Sequence, residues 1–106
     1  MKKPVIIVVP HAQTEIKKNF RNRIALSDRE IWKMSDPFTE KTSFYPQAFA
    51  IHVAENHRIL GDLDRDRTAA DIFREIDFYG RKIWKPKKNL STDEKEELLL
   101  FPARLR

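Results

Sequence analysis

The chain has no cysteine. That excludes a disulfide framework and any metal site built on thiolates. Glycine occurs only at Gly61 and Gly80, so no glycine-rich loop can cradle a phosphate through backbone N–H groups. No apolar run approaches the roughly 18 residues of a membrane-crossing helix. The apolar stretch behind the first lysines is too short for a signal peptide and lacks a small-residue cleavage site. The resulting expectation is a cytoplasmic protein without membrane contact. Internal repeats and low-complexity segments are lacking too.

What is present is a globular composition: 106 residues, 41% hydrophobic and 35% charged. That length supports one domain with a modest core. Lysine and arginine number 21 against 16 acids, a net charge of +5. Such an excess suits an anionic partner, either nucleic acid or a small carboxylate or phosphate. The basic residues are dispersed, from Lys17 and Lys18 through Arg65 and Arg67 to Lys87 and Lys88, with acids interleaved. A solvated mixed surface accounts for them better than a nucleic-acid stripe does.

Val5 to Val9 is an unbroken β-branched run. Such a run reads as a strand buried on both faces, central to its sheet. Pro10 removes a ladder donor and ends it. His11 then sits at the carboxyl end of the strand, where open α/β sheets place their ligand chemistry. It could bind a metal or move a proton, or it could simply cap backbone carbonyls.

Farther along, Ile16, Phe20 and Ile24 have the spacing of one helix face over Thr14 to Arg23. Ser27 and Glu30 form a Ser-x-x-Glu capping box, which starts a short helix with Ile31 and Trp32 inward. Asp36-Pro37 ends that helix. Phe49 to Val53 reads as a strand, and so does Arg58 to Leu63. The short turn at Glu55-Asn56-His57 makes these two an antiparallel hairpin. Thr68 and Asp71 read as caps of a helical segment through Ile76, and Lys82 to Trp84 as a short strand. Ser91 and Glu94 form a second capping box ahead of a helix over Thr92 to Leu100, stopped by Pro102. The expected architecture is α/β, a small mixed sheet with flanking helices. Residues 1–101 form one domain, and residues 102–106 an unanchored tail.

Three groups of residues could carry chemistry. His11 and Glu15 are of the types that hold a catalytic zinc with one position open for water. A third ligand would have to come from His52 or His57. In Asp62-Leu63-Asp64-Arg65, strand alternation puts both acids on one face. Arg65 there offers a planar fork of donors to a carboxylate, with an internal Asp–Arg ion pair as the alternative. The aromatic residues Phe73, Phe78, Tyr79 and Trp84 read as core rather than as a stacking platform.

Four segments together resemble the N-terminal part of the N-formylglutamate amidohydrolase family. They are Val9-Pro10-His11 followed by Thr14-Glu15-Ile16, then His57 to Asp66, Asp77-Phe78-Tyr79-Gly80, and Leu90 to Lys95. The second is the most specific, because the family writes Asp-Leu-Asn-Arg where this chain has Asp62-Leu63-Asp64-Arg65. The resemblance implies a three-layer, zinc-exopeptidase-like fold. It also implies zinc-dependent hydrolysis of N-formylglutamate or a similar N-acyl amino acid. His11 would then ligate zinc, with Glu15 beside it. Arg65, with Asp62 and Asp64, would hold the substrate carboxylate. Family members are longer than this chain, and their second histidine ligand and catalytic acid lie in the further portion. The resemblance therefore implies an incomplete or inactive form. The rival expectation is a non-catalytic anion-binding or oligomerisation module, with a basic RNA-binding domain behind it. The expected partners are a small carboxylate and a second copy of the chain.

Overall fold

The sheet has three strands in the order β1–β2–β3, where β1 is Lys3–Val9, β2 is Ala48–Ala54 and β3 is Ala103–Leu105. The computed structural model describes residues 2–42, 45–66 and 68–105. β1 runs parallel to β2, with Ile7 opposite Ile51 and Val9 opposite Val53, and β3 runs antiparallel on the other side of β2. Three short helices supply the crossover that a parallel pair needs. They are α1 (Lys18–Arg21), α2 (Asp28–Lys33) and α3 (Thr39–Thr42). A 3-10 turn at Arg58–Leu60 and the helix α4, Thr92–Leu100, complete a small mixed α/β domain. Among the described residues no helix is long and apolar enough to cross a membrane.

The centre of the sheet is β2, not the β-branched run. β1 is an edge strand, with Ile6 61% and Val8 53% exposed. Branching at Cβ favours the pleated conformation whether or not the strand is covered. It therefore makes Val5 to Val9 a strand without making it interior. β2 takes the central place because both of its edges are paired, and Ile51, Val53 and Ala54 are buried there.

The expected hairpin is also absent. The stretch after the Glu55 turn does not pair with β2 but coils into the 3-10 turn. Its physical cause is His57, whose ring Nδ1 accepts the Ile59 N–H at 3.1 Å and caps the turn. Ile59 and Leu60 are 0% and 1% exposed, so their apolar character reflects core burial. Asp71 to Ile76 forms turns rather than a helix, with Ile72 bonded back to Asp62 N–H at 2.7 Å. The expected strand at Lys82–Trp84 survives only as single bridges, Ile76 to Lys82 and Ile24 to Trp84. The second bridge also explains why α1 is short. Residues 23–25 leave the helix to bond with residues 83–85, through Ala25 N to Ile83 O at 2.7 Å and Lys85 N to Arg23 O at 2.9 Å. Ile16, Phe20 and Ile24 are nevertheless all buried.

Both capping boxes form. Ser27 and Ser91 each accept the N3 backbone N–H, and Glu30 and Glu94 each reach back to the cap N–H. Ile31 points into the core, whereas Trp32 is 47% exposed. Phe73 and Trp84 are core, but Phe78 and Tyr79 are exposed because they form the tip of the turn closed by Gly80. Residues 102–105 are not an unanchored tail, since Pro102 redirects the chain from α4 back along β2; Arg106 lies outside the described residues. The Pro102 carbonyl accepts the Glu55 N–H at 3.0 Å, and Ala103 pairs with Ala54.

Candidate functional site

Two chain reversals bring the polar residues together. Pro10 ends β1 and leaves His11 at its carboxyl end, 6% exposed. The His11 carbonyl accepts the Asp36 N–H at 2.7 Å, which pins the segment after α2 beside it. From the other direction, the 3-10 turn after β2 delivers Arg58 and then Asp62. Four side chains meet there: His11, Asp36, Arg58 and Asp62.

Asp62 is 1% exposed. Its Oδ1 lies 2.6 Å from His11 Nε2 and accepts the Asp64 N–H at 3.0 Å. Burial pushes its carboxyl upward, but the hydrogen bonds from His11 and Asp64 and the charge of Arg58 outweigh burial, leaving it below the usual aspartate value. Asp62 is therefore an anion at neutral pH. Arg58 Nη2 lies against both ring nitrogens of His11, its Nε is 3.9 Å from Asp62 Oδ2, and its guanidinium covers the Phe78 ring at 5.2 Å. Assigning the His11 proton to Nε2, which then donates to Asp62, leaves Nδ1 to accept from Arg58. Asp36, 57% exposed at its side chain, stands 3.3 Å from Nδ1 on the solvent side. Burial lowers the Arg58 pKa, against the opposing pull of Asp62 and Asp36.

This arrangement bears on zinc. The ring nitrogens of His11 face two carboxylates, and a guanidinium cation lies on the ring, where it would repel a dication. Glu15 is exposed and lines a separate depression with Thr14, Arg21 and Trp32. His57 uses both nitrogens, donating from Nε2 to Ile31 O at 2.8 Å and accepting at Nδ1 from Ile59. His52 lies within β2 opposite Val8. Among the described residues no three histidine or carboxylate side chains are grouped to hold a metal. As placed, these residues do not fit a zinc ion held by His11 and Glu15.

The Asp62–Arg65 segment is a turn rather than a strand end, so its two acids part company. Asp62 is buried while Asp64 is exposed, and the Asp64 N–H bonds back onto Asp62. Arg65 is 40% exposed at its side chain, and among the described residues the partner of that side chain is Asp71, at 3.1 Å. Behind it lies a cavity of about 140 Å³. Its walls include Leu60, Ile72 and Leu98, and its polar lining comes from Asn56, Asp62 and Arg65. Asp62 thus belongs to both the His11 network and the cavity.

Sequence reasoning singled out His11, Asp62 and Arg65, and the structure brings the first two into contact. Arg58, Asp36 and Asn56 escaped it. Asp36 was legible only as a helix stop before Pro37. Arg58, next to His57, carried no spacing signal, and Asn56 looked like an ordinary turn residue. Comparison with protein-family models, curated proteins and solved structures finds no match for this chain. Fold and site together define a small mixed α/β domain in which a buried His–Arg–Asp network borders a small apolar-walled cavity.

Proposed function

We propose that this chain is a binding domain for small carboxylates, with Arg65 as the clamp. The observation that carries the proposal is the placement of Arg65 on the wall of the apolar cavity, its side chain paired with Asp71 alone among the described residues. Asp71 is 65% exposed at its side chain, and exposed ion pairs of this kind contribute about 0–1 kcal/mol. A ligand carboxylate held against apolar walls competes well with such a partner. The guanidinium keeps donors in reserve, since Asp71 engages Nε.

The likeness to N-formylglutamate amidohydrolases supplies the expected ligand class, N-formylglutamate or a similar N-acyl amino acid. Kinship with their three-layer fold is supported by the parallel β1–β2 pair and by His11 at the carboxyl end of β1. We take the domain to bind without cleaving, because His11 is held by Asp62 and Arg58 rather than presented to a ligand. A cytoplasmic location goes with this reading.

The test is a calorimetric titration with N-formylglutamate. Arg65→Ala should cost roughly 2–4 kcal/mol of binding, the range for losing one partner of a desolvated charge pair. Asp64→Asn should tighten binding by removing the negative charge next in the chain. An amide-hydrolysis assay with added zinc should show no turnover. Unchanged affinity in Arg65→Ala would sink the clamp and leave Arg65 and Asp71 as a surface ion pair, and turnover would restore the hydrolase reading.

A further inference from the structure

The cavity at Arg65 is small for a ligand site. Its roughly 140 Å³ is close to the engineered cavity of about 150 Å³ that accepts benzene, whereas sites for larger ligands run about 300–1,000 Å³. Anything longer than a carboxylate on a small apolar group must leave it. A second cavity, of about 400 Å³, adjoins it along α4. Asn56 and Leu98 line both. Asn56 is only 7% exposed, and its buried Oδ1 has no hydrogen-bond partner among the described residues. A buried carbonyl oxygen is costly to leave without a donor. Asn56 is shared by the two cavities, so a ligand that spans them is a source for that donor.

The charges on the far side are acidic. Glu55, Glu94 and Glu97 line the larger cavity together with Lys17. Glu94 is committed to Arg23, at 2.6 Å, and to its own helix cap. Glu55 and Glu97 have no ion pair among the described residues and outnumber the single lysine.

We propose that the two cavities form one site for a short peptide. Its C-terminal carboxylate lies on Arg65, its last peptide N–H donates to Asn56 Oδ1, and its ammonium end lies near Glu55 and Glu97. The site extends the carboxylate-binding reading and rests on it. Asn56 sets specificity, by requiring a donor one peptide unit from the carboxylate.

The experiment titrates four probes: acetate, Ala-Ala-Ala, its N-acetylated form, and the depsipeptide in which an ester oxygen replaces the last amide N–H. Ala-Ala-Ala should bind at least about tenfold more tightly than the depsipeptide, because only the amide satisfies Asn56. Asn56→Leu should erase that difference. N-acetylation and Glu97→Gln should each weaken Ala-Ala-Ala a few-fold. Glu97 is exposed, so this variant folds normally and serves if Asn56→Leu does not. Equal affinity of wild type for the tripeptide and the depsipeptide overturns the peptide site alone, provided that acetate still binds. Absence of binding by every probe overturns the carboxylate reading as well.

Discussion

Around β2 the buried apolar cluster is Val9, Ala48, Ile51 and Val53, with Ile7 and Ala12 packed against it. Away from the sheet a much larger cluster runs from Ile16 to Leu98, drawing on α1, α2, the 3-10 turn, the bridged segments and α4. The first contains the most concentrated apolar stretch of the chain yet leaves Ile6 and Val8 in solvent. The second is assembled from residues scattered singly, among them Ile24, Ile59 and Ile83, each at most 2% exposed. Local apolar density therefore set strand conformation here, whereas burial followed from the tertiary bridges between residues 23–25 and 83–85. The polar network and the cavity lie along the larger cluster, through Leu60, Ile72 and Leu98. The apparatus of the proposed site thus stands on the better packed region.

The sharpest way to break this contrast is to truncate a fully buried side chain of the larger cluster. Ile83→Ala should cost about 2–5 kcal/mol, because transfer and cavity terms add at a fully buried site. Urea unfolding followed by far-UV circular dichroism would measure it. A cost below about 1 kcal/mol would show that the larger cluster is loosely packed.

Much of the fold was legible, and what failed did so for physical reasons. The strand at Val5 to Val9, both capping boxes and the helix over Thr92 to Leu100 follow from local rules, namely branching at Cβ, cap hydrogen bonds and helix propensity. Position in the sheet does not follow from local rules, because whether a strand has one neighbour or two depends on chain far away. At Arg58 to Leu63 the expected strand was overridden by one imidazole capping a turn. The site was half legible. His11, Asp62 and Arg65 stood out by residue type, but Arg58 and Asn56 gain meaning only from partners brought in by folding, or from lacking one. Glu15 had the right chemistry in the wrong place, since the chain after His11 carries it to a different surface.

The two regions should also differ in their response to acid. Burial, partly offset by the bond to Ile31 O, lowers the His57 pKa from 6.5 to about 4. A histidine whose pKa falls on folding stabilises the native state above its unfolded pKa, because the unfolded chain binds the extra proton. That contribution should be lost progressively as pH falls from 6.5 to about 4, a change of roughly 3 kcal/mol. Asp62, held low by His11 and Asp64, adds a loss in the same direction only below the ordinary aspartate range. Urea midpoints measured between pH 7 and pH 4 should fall in the wild type and flatten in His57→Gln. Equal slopes in the two proteins would mean that His57 is not buried as a neutral ring.

Smaller effects belong to the helix caps, which lie entirely in the larger region. Ser27→Ala and Ser91→Ala should each cost about 1 kcal/mol. At α4 the box is reinforced. Bonds from Arg23, joined by the Ser91 N–H, bring the Glu94 carboxyl down to about 2. Ser91→Ala keeps that N–H but removes the hydroxyl that accepts the Glu94 N–H, and so loosens the turn that positions Glu94 for Arg23. A double-mutant cycle between Ser91→Ala and Arg23→Gln should show coupling, and strict additivity would indicate that cap and ion pair act independently.

The smallest effect is expected on the exposed strand. Ile6→Lys and Val8→Lys place a charge where the residue is already 61% or 53% exposed. Surface substitutions of this kind usually fall within about 0.5 kcal/mol. Some β propensity is lost, but an aliphatic stem still covers neighbouring apolar surface. Lysine is, moreover, a residue with which proteins protect open sheet edges. Near-wild-type stability would confirm that the Ile6 and Val8 face of β1 does little packing within the domain. A loss above about 1.5 kcal/mol would mean that the strand is covered in solution, and sedimentation would then identify its cover. If wild type sediments as a dimer and Ile6→Lys as a monomer, the open edge pairs with a second copy. In that case the face of the apolar run that does not pack in this domain would instead be building an interface.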